Sequence, residues 1–335
     1  MKSLLAICLA TIYGLALRIM FGFIGDGSQI MSITFLFIVP MIIGFLTVFY
    51  TPKEKVKTAT IAFFMPWLTV LAILIITIIF NIEGTICWIL IYPIFSIFAG
   101  IGGVFAFHFK NTKRMYSENG DLINDDSENN DLEKPTTLNV SLFLLIPCVI
   151  GLLEGNRSTI KKDFNISKSI EISASTKEVW AELTNINQIS NLENTASFSN
   201  IIGFPKHLRT TLDTLCVGGK RKAIYENGLY FNETISDFES EKRLVLDIKT
   251  DPNNIPPTVM DEHIVIGGKH VDILQDIYSI EKTSEKSCRL TLSSRFFINT
   301  PFNWYTSIWA NYLMKNILKC QLNLIATRAT VKNLK

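Results

Sequence analysis

Two periodicities divide the chain. The first half is written in unbroken apolar runs at about Leu4 to Ile24, Ile30 to Tyr50, Ala59 to Phe80 and Thr85 to Phe107, with a shorter run from Leu138 to Leu153. A bilayer core is crossed by about 20 apolar residues in a helix, so the first four runs predict spanning helices. The fifth, "TLNVSLFLLIPCVIGLL", is shorter and carries Pro147 in its middle. It reads as a fifth span over 138–154, with a re-entrant or interfacial segment as the competing reading.

From about Phe164 the pattern changes to alternation. In "SIEISASTKEVWAEL", Ile170 and Ile172 alternate with polar neighbours as in a half-buried strand. Ser175 followed by Glu178 makes a capping box, and Val179, Trp180, Leu183 and Ile186 then share a helix face. A second short helix is expected through "NQISNLE". Asn227-Gly228 lies between two alternating runs, and a two-residue turn there pairs Ile224 with Phe231 and Lys222 with Glu233. A second turn at Gly267-Gly268 sets His263 opposite Asp272 and Ile264 opposite Val271. Strands follow at about 243–250, 269–281 and 289–298. Thr300-Pro301 then opens a helix over about 302–329. Its apolar face is read as Tyr305, Ile308, Trp309, Tyr312, Leu313, Ile317, Cys320 and Leu324, with Ser307, Asn311, Lys315 and Lys319 opposite.

Composition agrees with this division. At 48% apolar residues and a mean hydropathy of +0.28, the 335-residue chain is too apolar for one ordinary soluble domain. The net charge of +2 conceals an asymmetry, since Lys53, Lys55 and Lys57 follow the second run and Lys110, Lys113 and Arg114 the fourth. The positive-inside rule places these loops and the amino terminus in the cytoplasm. Ser117 to Lys134 is dense in Asp, Glu and Asn and reads as a solvated linker. The expected organisation is four spans in 1–110, an acidic cytoplasmic linker in 111–137, the fifth span in 138–154 and a folded domain in 155–335. If the fifth run spans, that domain is extracytoplasmic. The six cysteines form no C-x-x-C pair, and Cys216, Cys288 and Cys320 leave the redox compartment open.

Strand, two short helices, a series of antiparallel strands and a long final helix is the order of an α+β helix-grip fold, in which the sheet wraps around the last helix. On "SIEISASTKEVWAEL", "GGKRKAIYENGLYFNETISDFESEKRLVLDI" and "NWYTSIWANYLMKNILKCQLNLIATRA", the second half resembles the START-like (SRPBCC) superfamily, and within it the polyketide cyclase/dehydrase-like proteins of bacteria. The resemblance covers about Asn165 to Thr330. It implies an apolar cavity between sheet and helix that takes a lipid or other hydrophobic small molecule, in a superfamily where many members are not enzymes.

Inward polar residues are then the candidate ligand contacts. The expected register puts Lys222 and Glu233 on the apolar side, and Gln275 on the face of Val271, Ile273 and Ile277. Tyr305, Trp309, Tyr312 and Asn316 lie on the expected apolar face of the last helix, where rings with polar tips suit an amphipathic ligand. Core packing, and for Lys222 and Glu233 a salt bridge at the sheet margin, is the plainer account of these residues. His263 and Asp272 would make a base and its orienting carboxylate, but they share a face with His270 and Asp276 that reads as solvent-facing. Nucleophile, phosphate-loop and zinc spacings do not occur.

The function expected from sequence is membrane-anchored binding of a hydrophobic small molecule or lipid in a helix-grip cavity, with no catalytic residue implied and no cofactor, metal or nucleic acid expected. A cyclase or dehydratase using Glu233, and a ligand sensor signalling through the spans to a partner, are the competing readings. Richness in Ile, Lys and Asn points to an AT-rich bacterial genome, and so to the inner membrane.

Overall fold

The computed structural model describes residues 2–23, 32–80, 82, 84–120, 137–154, 159–190, 193, 197–252 and 265–332. They divide into two compact units, a helical one within 1–82 and 88–158 and a second within 83–87 and 159–335.

The helical unit contains α1 (Lys2–Phe23), α2 (Val39–Tyr50), α3 (Ala59–Ile79), α4 (Thr85–Gly120) and α5 (Thr137–Glu154). Among the described residues, three stretches are long and apolar enough to cross a membrane: Lys2–Gly22, Ala59–Ile79 and Ile86–Asn111. The second expected span is shorter, an apolar helix over Thr34–Tyr50. It opens with a wide turn, Thr34–Ile38, closed by Val39 N–H on the Thr34 carbonyl. Pro40 explains that turn, because it has no N–H for the carbonyl four residues back and its ring crowds that position.

Small residues let α2 and α4 touch through their backbones. A Cβ on Gly44 would stand 1.8 Å from the Ala99 carbonyl oxygen, and one on Gly102 1.8 Å from that of Met41. Polar groups finish the helix ends. Lys110 Nζ donates to the carbonyls of Val48, Phe49 and Thr51 at 3.2, 3.0 and 2.6 Å, closing the end of α2. Glu154, the last residue of α5, accepts from the Ile33 and Thr34 N–H groups at 2.8 and 2.9 Å and from Thr34 Oγ1 at 2.5 Å. A carboxylate there satisfies donors that no helical carbonyl can reach.

The second unit contains β1 (Lys162–Ile172), α6 (Thr176–Thr184), α7 (Phe198–Ile201), β2 (His207–Leu212), β3 (Lys220–Tyr225), β4 (Tyr230–Glu239), β5 (Arg243–Lys249), β6 (Val271–Ser284), β7 (Ser287–Ile298) and α8 (Asn303–Lys332). The strands form one antiparallel sheet in the order β1-β7-β6-β5-β4-β3-β2. A seven-stranded sheet closed by a long final helix is a helix-grip fold. Its core joins Ile172, Leu246, Leu290 and Phe296 of the sheet to Val179 and Leu183 of α6 and to Met314, Leu318, Leu322 and Ile325 of α8. The expected capping box forms, with Ser175 Oγ accepting from Glu178 N–H and the Glu178 carboxylate accepting from Ser175 N–H at 2.8 Å.

Four local expectations are corrected. First, no helix forms at 185–190; the second short helix is α7, capped by Ser197, while residues 191 and 192 lie outside the described residues.

Second, the β3–β4 turn takes three residues, Glu226 to Gly228. Asn227 and Gly228 have the positive φ expected of them (55° and 78°), but Glu226 joins the turn and Tyr225 N–H donates to the Leu229 carbonyl. One extra residue slips the register by one, so Arg221 rather than Lys222 pairs with Glu233, and Lys222 pairs with Asn232 on the other face.

Third, Val271 bridges Ile266 rather than Ile264; His263 and Ile264 lie outside the described residues. A bulge between Ile273 and Gln275 then reverses the facing of β6. Ile273 packs on the core before it, Tyr278 and Ile280 after it, and His270 on the supposed solvent face is buried.

Fourth, α8 is rotated from expectation. Met314, Leu318, Leu322 and Ile325 face the sheet and Ser307 is buried, whereas Ile308 and Tyr312 are 61% and 51% exposed.

Candidate functional site

The corrected register gathers polar side chains on the concave face of the sheet. Arg221 of β3 and Glu233 of β4 are cross-strand partners, and Arg221 Nη1 lies 3.2 Å from Glu233 Oε2. Both are buried, at 4% and 7% exposure. The guanidinium carbon stands 6.0 Å from the Tyr278 ring centroid, a favourable cation–π placement. Past the bulge, Asp276 stands between Leu246 of β5 and Ser294 of β7. Arg221 Nε, Asp276 Oδ1 and Ser294 Oγ are buried without a hydrogen bond of good geometry, although the Ser294 hydroxyl faces the Asp276 carboxyl closely enough to favour its charged form. Each such atom costs about 1–3 kcal/mol.

Burial governs the titration of these groups. It pushes the Asp276 carboxyl up to about 7 against the opposing pull of the Ser294 hydroxyl, with nearby Glu233 adding to the rise and Arg221 offsetting part of it. It also raises the Glu233 carboxyl, against the attraction of Arg221, and the phenols of Tyr225 and Tyr278. On β2, His207 stacks on Tyr225 at 4.9 Å between centroids and meets Gln321 Oε1 at 3.3 Å and Thr210 Oγ1 at 3.0 Å. Burial, and then the charge of Arg221, lowers this imidazole to about 4. A small cavity of about 60 Å³ adjoins it, lined in part by Tyr225, Phe204, Cys320, Gln321 and Leu324. At its edge Arg328 Nε donates to Glu193 Oε1 at 2.6 Å, which holds the Glu193 carboxyl down at about 2.

Of the seven residues singled out from sequence, Glu233 alone enters this cluster. Lys222 lies on the opposite face with its Nζ 3.5 Å over the Tyr230 ring, beside a groove of about 590 Å³ bordered by Lys220, Asn232, Thr234 and Lys249. Gln275, turned outward by the bulge, donates to Asp247 Oδ1 at 2.7 Å. Asn316 Oδ1 accepts from Ser199 N–H and so ties α7 to α8. Tyr312 is exposed and packs edge-on against Phe198, while Tyr305 and Trp309 are half-buried. Arg221, Tyr225, Asp276, Tyr278 and Ser294 escaped sequence reasoning because the turn length and the bulge decide their facing. Among the described residues, no group of three His, Cys, Asp or Glu side chains could hold a metal ion.

No family model and no curated protein matches the sequence. Solved structures do resemble it. A norcoclaurine synthase variant from Thalictrum flavum shares 13% identity at a TM-score of 0.33, over 54% of this chain and 100% of the other. A START superfamily protein from Mycobacterium smegmatis shares 12% at 0.34, over 51% and 99%. A protein from Nitrosomonas europaea shares 13% at 0.33, over 51% and 97%. Scores at this level add nothing to the architecture read from the strands themselves. The second unit has a helix-grip fold on its own strand order and closing helix.

Proposed function

We propose that the START-like unit holds a hydrophobic small molecule or lipid with its polar end against Arg221, Asp276 and Ser294, and that the apolar helices anchor it in a membrane. The observation that carries this reading is the three polar atoms buried on the concave face of the sheet without a hydrogen bond of good geometry. A folded domain tolerates so many unmet groups where they serve a ligand, because a polar headgroup there recovers the hydrogen bonds that burial removes. The apolar residues around them, Leu246, Leu292 and Phe296, suit the ligand's body.

The test is lipid extraction and mass spectrometry on the full-length protein purified from its native membranes, compared with Ser294→Val, which removes the hydroxyl facing Asp276 with little change of volume. A species retained by the parent and lost from the variant supports the reading. Identical lipid contents overturn it. For the membrane arrangement we propose five spans with the START-like unit extracytoplasmic, tested by a reporter fused after Lys335; a cytoplasmic reporter signal overturns that arrangement.

A further inference from the structure

The same cluster narrows the chemistry of the ligand. It contains one permanent cation, Arg221, and two carboxyls, Glu233 and Asp276. Arg221 is committed to Glu233 at 3.2 Å, which leaves Asp276 as the unmatched acid, its Oδ1 buried without a hydrogen bond of good geometry. The other groups facing it bring no positive charge. β5 contributes Leu246 and β7 contributes Ser294; β3 and β6 add the phenols of Tyr225 and Tyr278. His207 of β2 is neutral at ordinary pH, and α8 packs Met314, Leu318 and Leu322 on the sheet.

With both carboxyls ionised, the cluster is one positive charge short, an unfavourable state in a buried site. A proton on Asp276 closes the account in the free protein. In a ligand-bound protein a cation can do the same. We infer, on the reading that a ligand enters this interior, that the ligand's polar end is a protonated amine seated on Asp276 across from the Arg221–Glu233 pair. On binding, the Asp276 carboxylic acid gives its proton to solvent, and the resulting carboxylate pairs with the incoming ammonium. Burial sets this exchange near neutral pH, since the Asp276 carboxyl already sits at about 7. An alcohol leaves the proton in place and gains no charge pairing. A carboxylate ligand adds a third acid and competes with Glu233 for Arg221.

The test titrates the full-length protein in nanodiscs with octylamine, octan-1-ol and octanoate by calorimetry at pH 6, with empty nanodiscs as the blank and two buffers of different ionisation enthalpy. The expected order is octylamine tightest, by about tenfold or more over octan-1-ol, with octanoate weakest. Amine binding should release up to one proton, and Asp276→Asn should weaken octylamine by about tenfold or more and abolish the proton release. If octan-1-ol or octanoate binds as tightly as octylamine, the amine assignment is overturned while the ligand-binding reading stands. If none of the three binds above the blank, both fall. The ranking is measured on the unaltered protein and so does not depend on how the variant folds.

Discussion

Replacing Asp276 with Asn removes a carboxyl that the fold accepts more readily neutral than charged. Its proton is held at about 7 in the folded chain against an ordinary value of 3.8. Each tenfold in proton affinity is worth about 1.4 kcal/mol, so ionised Asp276 costs the fold about 4 kcal/mol at pH 8. The sign follows from which state binds the proton more tightly. Here the folded state does, so the contribution of Asp276 to stability is complete below about pH 4 and is lost as the pH rises through about 7. Asn does not titrate. The stability of Asp276→Asn relative to the parent should therefore rise by about 4 kcal/mol between pH 4 and pH 8. His207 works in the opposite direction: its imidazole is lowered to about 4, and its contribution is lost as the pH falls from about 6.5 toward that value. Because both proteins carry His207, its effect cancels in the difference. The assay is denaturant unfolding of full-length protein followed by near-UV circular dichroism of the folded unit. A stability difference that stays constant across this pH range would refute the reasoning, because Asp276 would then ionise without penalty.

Three further outcomes follow from geometry. Arg221→Met should destabilise the second unit by about 3–5 kcal/mol by stranding the Glu233 carboxyl, and the double change Arg221→Met with Glu233→Leu should recover most of that loss; equal loss in single and double variants would show that the pair does not act as a unit. Glu154→Gln should lower the stability of the helical unit by about 1 kcal/mol, since a neutral amide replaces the charge over the Ile33 and Thr34 donors; an unchanged thermal midpoint would count against the cap. Gly102→Ala should sharply reduce folded yield in membranes, because its methyl would stand 1.8 Å from the Met41 carbonyl oxygen; normal yield would show that α2 and α4 can separate.

The architecture of the second unit was legible because its signals are local. Ser175 with Glu178 announces α6, and the alternating runs announce strands whose order and long closing helix follow. The interior was not legible, because facing depends on counting residues between strands. Asn227 and Gly228 mark where the chain turns but do not say whether Glu226 belongs to the turn, and that one residue exchanges Lys222 for Arg221 inside. On β6 the alternation reads the same with or without a bulge. The phase of α8 was ambiguous for a different reason. Large apolar side chains occur around much of its circumference, with Trp304, Ile308 and Tyr312 exposed while Met314 and Leu318 are in the core.

The β6 bulge has a consequence for how such an interior can change over generations. Leu274 is the residue between its two register positions. Remove it, and the alternation running in from Lys282 continues past Asp276 without interruption. Keep it, and Val271 and Ile273 lie on the same side of the sheet as Asp276 and Tyr278. The polarity of the chamber is thus controlled by chain length at one point. Across descendants of this fold, insertions and deletions at position 274 should mark changes of ligand chemistry more sharply than substitutions in the lining itself.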